Sequence, residues 1–145
     1  MKNFSGIIYT DGNSVLLVRR AEGNEKGKWD IPGGKIEDGE KPLVAAKRES
    51  DEEIGTVEGK KVYEFKNPFV YIFKVKAPFK GHLSKEHDDL KWVKLHKVEK
   101  YELHPEFKNN WKEYYKKIKE FTVPSSFKEW MKMEEYGYCR IKLYK

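Results

Sequence analysis

Residues 29–56 read WDIPGGKIEDGEKPLVAAKRESDEEIGT: a strand end, a glycine loop, then a helix with an unusual load of carboxylates. Pro42 suits the first turn of that helix and Gly55 its C-terminal cap, so the sequence predicts a helix from Pro42 to about Gly55. Glu49, Glu52 and Glu53 stand on it at i, i+3 and i+4 and project from one side. Three like charges at that spacing repel, so the arrangement asks for a cation among them. Carboxylate oxygens are hard ligands, which makes Mg²⁺, with Mn²⁺ as the alternative, the natural partner. Leu43, Ala46, Ser50 and Ile54 fall on a different face, suited to a core. Arg48 lies four residues before Glu52, within reach of a salt bridge.

On the N-terminal side, Gly6–Tyr9 and Ser14–Arg20 are short apolar runs joined by Asp11-Gly12-Asn13, a hairpin signal. Val15 to Val18 run without polar alternation, as in a strand buried on both faces. Ala21–Lys28 is polar and reads as a loop. Beyond the helix, Val62–Phe65 and Phe69–Val75 read as strands broken at Asn67-Pro68, Pro78–Asp88 as a polar loop, and Leu90–Leu95 as a short strand. The period then changes. Phe107, Trp111, Tyr114, Ile118 and Phe121 recur at helical spacing after Pro105, a pattern of core packing more than a platform for stacking bases. A break at Phe121–Pro124 is expected. A second helix follows, with Ser126 and Glu129 as a capping box and Phe127, Trp130 and Met131 on it; Gly137 ends it, and Arg140–Tyr144 is a candidate terminal strand. The fold class is α/β. No repeat or linker interrupts the chain, so residues 1–145 are expected to form one domain, with a core over about 4–121 and a C-terminal helical appendage over about 122–145.

At 38% apolar, 37% charged and 14% aromatic residues, the 145-residue chain has the makings of a globular domain and not of a disordered one. No apolar run approaches the roughly 18 residues of a membrane span, and the N-terminal stretch meets acidic and turn residues too early for a signal peptide. The lone Cys139 suits a reducing cytoplasm and reads as a structural thiol. The net charge of +6 is uneven: residues 1–59 carry 9 Lys/Arg against 12 Asp/Glu, residues 91–145 carry 14 against 8. A basic half beside a carboxylate site suits a polyphosphate partner and is compatible with nucleic acid, although lysine-coated helices explain it as well. No Arg-rich run supports sequence-specific reading of bases.

Gly34, five residues, Glu40, seven residues, Arg48-Glu49, two residues, Glu52-Glu53, one residue and Gly55: this spacing resembles the Nudix hydrolase signature, G-x5-E-x7-R-E-U-x-E-E-x-G-U, where U is aliphatic. Every charged and glycine position is present, whereas the two aliphatic positions hold Ser50 and Thr56. The resemblance runs from about Phe4 to Lys97. It implies the Nudix fold, a mixed β-sheet sandwiched between helices, here with extra C-terminal helices. It also implies a compact, MutT-like pyrophosphohydrolase using Mg²⁺ or Mn²⁺ to hydrolyse nucleoside diphosphate-linked substrates, NTPs or dNTPs foremost.

Carried over by position, the resemblance makes Glu49, Glu52 and Glu53 metal-binding carboxylates and the Gly34 carbonyl a further ligand. Glu49 is assigned as metal-bridging base. Glu86, six residues before Trp92, takes the place of a later-loop glutamate, with Asp88 and Asp89 as rivals. Arg48 is expected to orient Glu52 or Glu49, Glu40 to support the junction of loop and helix, and Gly33 and Gly55 to shape the turns. Lys35 is a candidate for a substrate phosphate. Tyr71, sixteen residues after Gly55, sits near the spacing associated with dinucleoside polyphosphate hydrolases, though its aromatic strand also explains it as core. His82, His87, His96 and His104 show no metal spacing; His87, beside Glu86, is a weaker candidate for phosphate contact. Ser50, on the core face, is expected to bond back to the Ala46 carbonyl. Alternative substrates are dinucleoside polyphosphates, ADP-ribose or a capped RNA end. The other alternative is a non-catalytic Nudix-fold module that binds nucleotide or nucleic acid. Monomer and homodimer both stay open.

Overall fold

The computed structural model describes residues 3–76 and 83–135, with side chains of the last helix described as far as Phe121. His82, Cys139, Gly137 and the Arg140–Tyr144 strand expectation lie outside the described residues. Among the described residues, seven strands form one mixed sheet: β1 (Phe4–Thr10), β2 (Ser14–Arg20), β3 (Trp29–Asp30), β4 (Gly33–Lys35), β5 (Lys60–Lys66), β6 (Phe69–Lys74) and β7 (His87–Lys94). The order is β3-β2-β1-β6-β5, with β4 pairing β1 and β7 pairing β2. β1 runs parallel to β6 and antiparallel to β2 and β4. The first hairpin forms as its turn residues predict: the Asp11 Oδ1 accepts from the Asn13 and Ser14 amides, and Gly12 takes φ +103°.

The central strands are apolar on both sides because a helix covers each face. Ile7, Tyr9, Leu16, Val18, Tyr71 and Phe73 point to one side, where α1 (Pro42–Ile54) seals them with Ala46 and Ile54. Ile8, Val15, Leu17, Val70 and Ile72 point to the other, under Phe107, Trp111, Tyr114 and Ile118 of α2 (Pro105–Glu135). The aromatic stripe is therefore core, each such side chain contributing roughly 1.5–3 kcal/mol by its burial. A 3₁₀ turn over Leu95–Lys100 and a bridge from Leu103 to Trp29 carry the chain from β7 to α2.

Three expectations change. The C-terminal helices are one: α2 runs without interruption from Pro105 to Glu135, through Pro124 and the predicted capping box at Ser126 and Glu129. An interior proline forfeits one N–H donor and crowds one carbonyl, a local cost that does not interrupt the helix here. The glycine loop is partly strand, because Gly33 and Gly34 pair with Gly6 and Ser5. The strand predicted at Leu90 starts earlier, at His87, since β7 pairs with β2 as far as Arg20.

Candidate active site

α1 sets the site. Lys41 and Pro42 start it, and Gly55 at φ +88° ends it with its amide donating to the Asp51 carbonyl. Rotation of about 100° per residue places Glu53 roughly 40° to one side of Glu49 and Glu52 roughly 60° to the other. The helix divides them accordingly. Glu53 is buried at 4% exposure and Glu49 half-buried, while Glu52 turns out to solvent. Glu52 thus lies on the solvent side of the other two, near enough for its charge to raise Glu49.

The glycines explain the close approach. A side chain on Gly33 would collide with the Ser5 carbonyl and the Gly6 Cα, and one on Gly34 would occupy the space of the Glu49 carboxylate. With no side chain there, the Gly33 amide donates to the Glu53 Oε1 at 3.2 Å. Arg48 grips Glu40 with its fork, Nε to Oε2 at 2.7 Å and Nη2 to Oε1 at 3.0 Å, and its Nη2 also donates to the Lys35 carbonyl. Its contacts to Glu49 at 3.2 Å and Glu52 at 3.4 Å are longer. Its main partner is therefore Glu40 and not Glu52. This fork holds the Glu40 carboxyl down at about 2 and raises the guanidinium further.

The two inner carboxylates go the other way. Burial, outweighing the Gly33 amide, pushes Glu53 up to about 9, and the charges of Glu49, Glu86 and Asp30 add to it. Glu49 is also raised, first by burial, against the pull of Arg48. Glu86 is brought within electrostatic reach of both, because its loop docks on the end of α1 through the Ser84 amide and the Glu53 carbonyl, 3.0 Å apart. Of its rivals, Asp88 is taken by Arg19 at 2.6 Å, and the Asp89 Oδ1 accepts from the Leu90 amide.

Among the described residues, no three His, Cys, Asp or Glu side chains meet as a ready-made metal cage. The donor chemistry nonetheless fits a divalent cation. Glu53 and Glu49 are hard anionic ligands whose charged forms the protein disfavours, on a backbone that glycine keeps open at Gly34. Either glutamate, with Glu86, could hold such an ion.

The remaining candidates are spread out. The Lys35 side chain is exposed, and its backbone serves Arg48. The Tyr71 ring is buried in the core on β6, with the Lys61 ammonium 5.8 Å from its centroid. His87 is held down to about 4 by burial and the neighbouring Arg20 charge, so it is neutral at pH 7, and its Nδ1 has no hydrogen-bond partner among the described residues. His96 is exposed. The His104 Nδ1 accepts from the Glu106 amide and lies 3.8 Å from the Asp30 carboxylate, too far for a hydrogen bond.

Two features escaped the sequence. Arg20, Asp30 and Glu106 line a narrow recess with Phe4, Phe107 and Tyr114. Burial raises Asp30 there, and the proximity of His104 opposes the rise. The other is the partner of Ser50, which is not the helix backbone but the Tyr9 hydroxyl, 2.6 Å away across the core. Charge next to an aromatic marks the recess in the sequence only weakly, and a contact between residues 41 positions apart leaves no local mark.

Known proteins share this family and fold. The NUDIX domain family matches residues 1–115. Nudix hydrolase 25 of Arabidopsis thaliana is 48% identical over 71 residues, covering 49% of this chain and 39% of that protein. The 8-oxo-dGTP diphosphatase of Escherichia coli (strain K12) is 45% identical over 51 residues, covering 34% and 40%. The chain thus spans about two-fifths of the length of these curated relatives. The crystal structure of the M. smegmatis Nudix hydrolase RenU superposes with a TM-score of 0.64 at 22% identity, over 77% of this chain and 82% of that one.

Proposed function

Because the chain belongs to the NUDIX family, we propose that it is a divalent-metal-dependent pyrophosphohydrolase, cleaving a phosphoanhydride in nucleoside diphosphate-linked substrates, NTPs or dNTPs foremost. The observation that carries this is the Glu53 carboxyl, buried beside Glu49 and pushed up to about 9 under the charge of Glu86. A protein gains nothing in stability from such a group, and it becomes useful when a cation meets it. The relative named 8-oxo-dGTP diphosphatase supports a single nucleotide as substrate.

Glu49, Glu52, Glu53 and the Gly34 carbonyl are the proposed ligands, with Glu86 from the β7 loop. When bound there, Mg²⁺ or Mn²⁺ would supply acidification of a water and neutralisation of phosphoryl charge. The chain supplies the rest. Glu49 is the proposed base that takes the proton of the attacking water. Arg48, anchored on Glu40 and the Lys35 carbonyl, holds Glu49 in place. The exposed Lys35 ammonium is the proposed counter-charge to a substrate phosphate. Tyr71 is left to packing, where its ring lies. The retained carboxylates argue against a module that binds without turnover.

The test is to incubate the protein and Mg²⁺ with NTPs, dNTPs, diadenosine polyphosphates, ADP-ribose and capped RNA, and to measure phosphate and pyrophosphate. Release from a nucleoside triphosphate is the expected result. Release confined to another substrate would reassign the substrate, and none from any of them would refute the hydrolase reading.

A further inference from the structure

The NUDIX signature has an aliphatic residue where this chain has Ser50, between Glu49 and Glu53 on α1. Ser50 is fully buried, and so is Tyr9 on β1, whose hydroxyl meets the Ser50 Oγ at 2.6 Å. Burial pushes the Tyr9 phenol up to about 12, with the Asp51 charge adding to the rise and the Ser50 bond opposing it, so the phenol stays neutral. An aliphatic side chain packs without directional preference, whereas a buried hydroxyl pair fixes distance and angle.

The bond closes a triangle on β1. One side is the pairing of Ser5 and Gly6 with Gly34 and Gly33. The second is the approach of those glycines to α1, the Gly33 amide on Glu53 and Gly34 against the Glu49 carboxylate. The third is Tyr9 to Ser50. One strand therefore holds both the glycine backbone and the helix that face each other across the site. A turn of α1 about its axis would carry Glu49 and Glu53 away from Gly34 and Gly33, and the Tyr9 bond to Ser50 ties α1 to β1 against such a turn.

We propose that Tyr9 and Ser50 are positioning residues that set the rotation of α1 and thereby the spacing of the Glu49 and Glu53 carboxylates for a divalent cation. This rests on the hydrolase reading above. The test titrates Mn²⁺ by electron paramagnetic resonance into metal-free wild type, Tyr9→Phe, Ser50→Ala, the double variant and Ser50→Thr, alongside thermal midpoints and kcat and KM for a nucleotide. Each hydroxyl deletion is expected to weaken Mn²⁺ binding about three- to tenfold, the scale of one hydrogen bond. It should lower kcat with little change in KM. The double variant should be no worse than either single one, and Ser50→Thr, which keeps the hydroxyl, should bind Mn²⁺ as wild type does. Wild-type Mn²⁺ affinity in both single variants, with only their midpoints lowered, would overturn the proposal and leave the hydrolase reading standing; so would losses that simply add. A wild-type protein that binds no Mn²⁺ would overturn both.

Discussion

α1 and α2 cover opposite faces of the same sheet and are built to different ends. α2 buries Phe107, Trp111, Tyr114 and Ile118 against apolar strands; of its described charged side chains Glu106 and Lys117 are half-buried and the others exposed. α1 spans 13 residues and buries Ser50 and Glu53, two residues that a helix selected for packing would not place there. Its charges are sorted as well: Arg48 and Glu40 satisfy each other outside, whereas Glu49 and Glu53 are pressed together within. The difference teaches where the molecule draws stability and where it gives some up. One face holds the sheet together, and on the other, burial disfavours the ionised forms of two carboxyls, the pair proposed to meet a cation.

If that division is right, changes on the two faces should separate activity from stability. Glu53→Gln should cut turnover by roughly 10²–10⁴-fold, the scale of a positioned catalytic group, in a protein that still folds. Steady-state kinetics with the circular dichroism spectrum checks this, and near-wild-type rates would remove Glu53 from the site. Trp111→Ala on the far face should do the reverse, costing about 3–5 kcal/mol in urea unfolding while the folded fraction keeps its Mn²⁺ affinity.

A third difference is expected in pH dependence. Glu53 titrates near 9 in the folded protein against an ordinary value of 4.5. Between those values the native state holds a proton that the unfolded chain has released, so metal-free stability should fall as pH rises from about 5 to 9. Urea midpoints at pH 5, 7 and 9 measure this, and Glu53→Gln should flatten the trend. The smallest effect is expected at Lys35. Its side chain is exposed and its backbone does the structural task, so Lys35→Ala should raise KM by a few-fold and leave the thermal midpoint unchanged.

Much of α1 was legible in the sequence because its signals are local. Pro42 and Gly55 mark its ends, and the 3.6-residue period put Ala46, Ser50 and Ile54 on the buried side, where they lie. What sequence spacing could not resolve was competition between local and distant partners. Arg48 is spaced for Glu52, but the chain folds back so that Glu40 presents a carboxylate to the whole guanidinium fork, and the two-pronged contact wins. Ser50 had the Ala46 carbonyl within its own helix, yet Tyr9 reaches it from β1. Gly33 and Gly34 read as loop residues, and only their register with β1 makes them strand. At Pro124 the local rule predicted a break, and the continuous α2 overrode it. The family was legible because the motif's charged positions sit on one helix and its adjoining loop. The recess around Asp30 was not, because it gathers residues from β1, β2, β3, β6 and α2.

The central claim is that the buried Glu53 carboxyl on α1 serves to meet a divalent cation, and the thermal midpoint of the metal-free protein at pH 8 tests it most directly. Saturating Mn²⁺ binds the native state alone and should raise the wild-type midpoint by about 5 °C, with Glu53→Gln losing most of that rise. A wild-type midpoint indifferent to Mn²⁺, or an equal rise in Glu53→Gln, would contradict the claim.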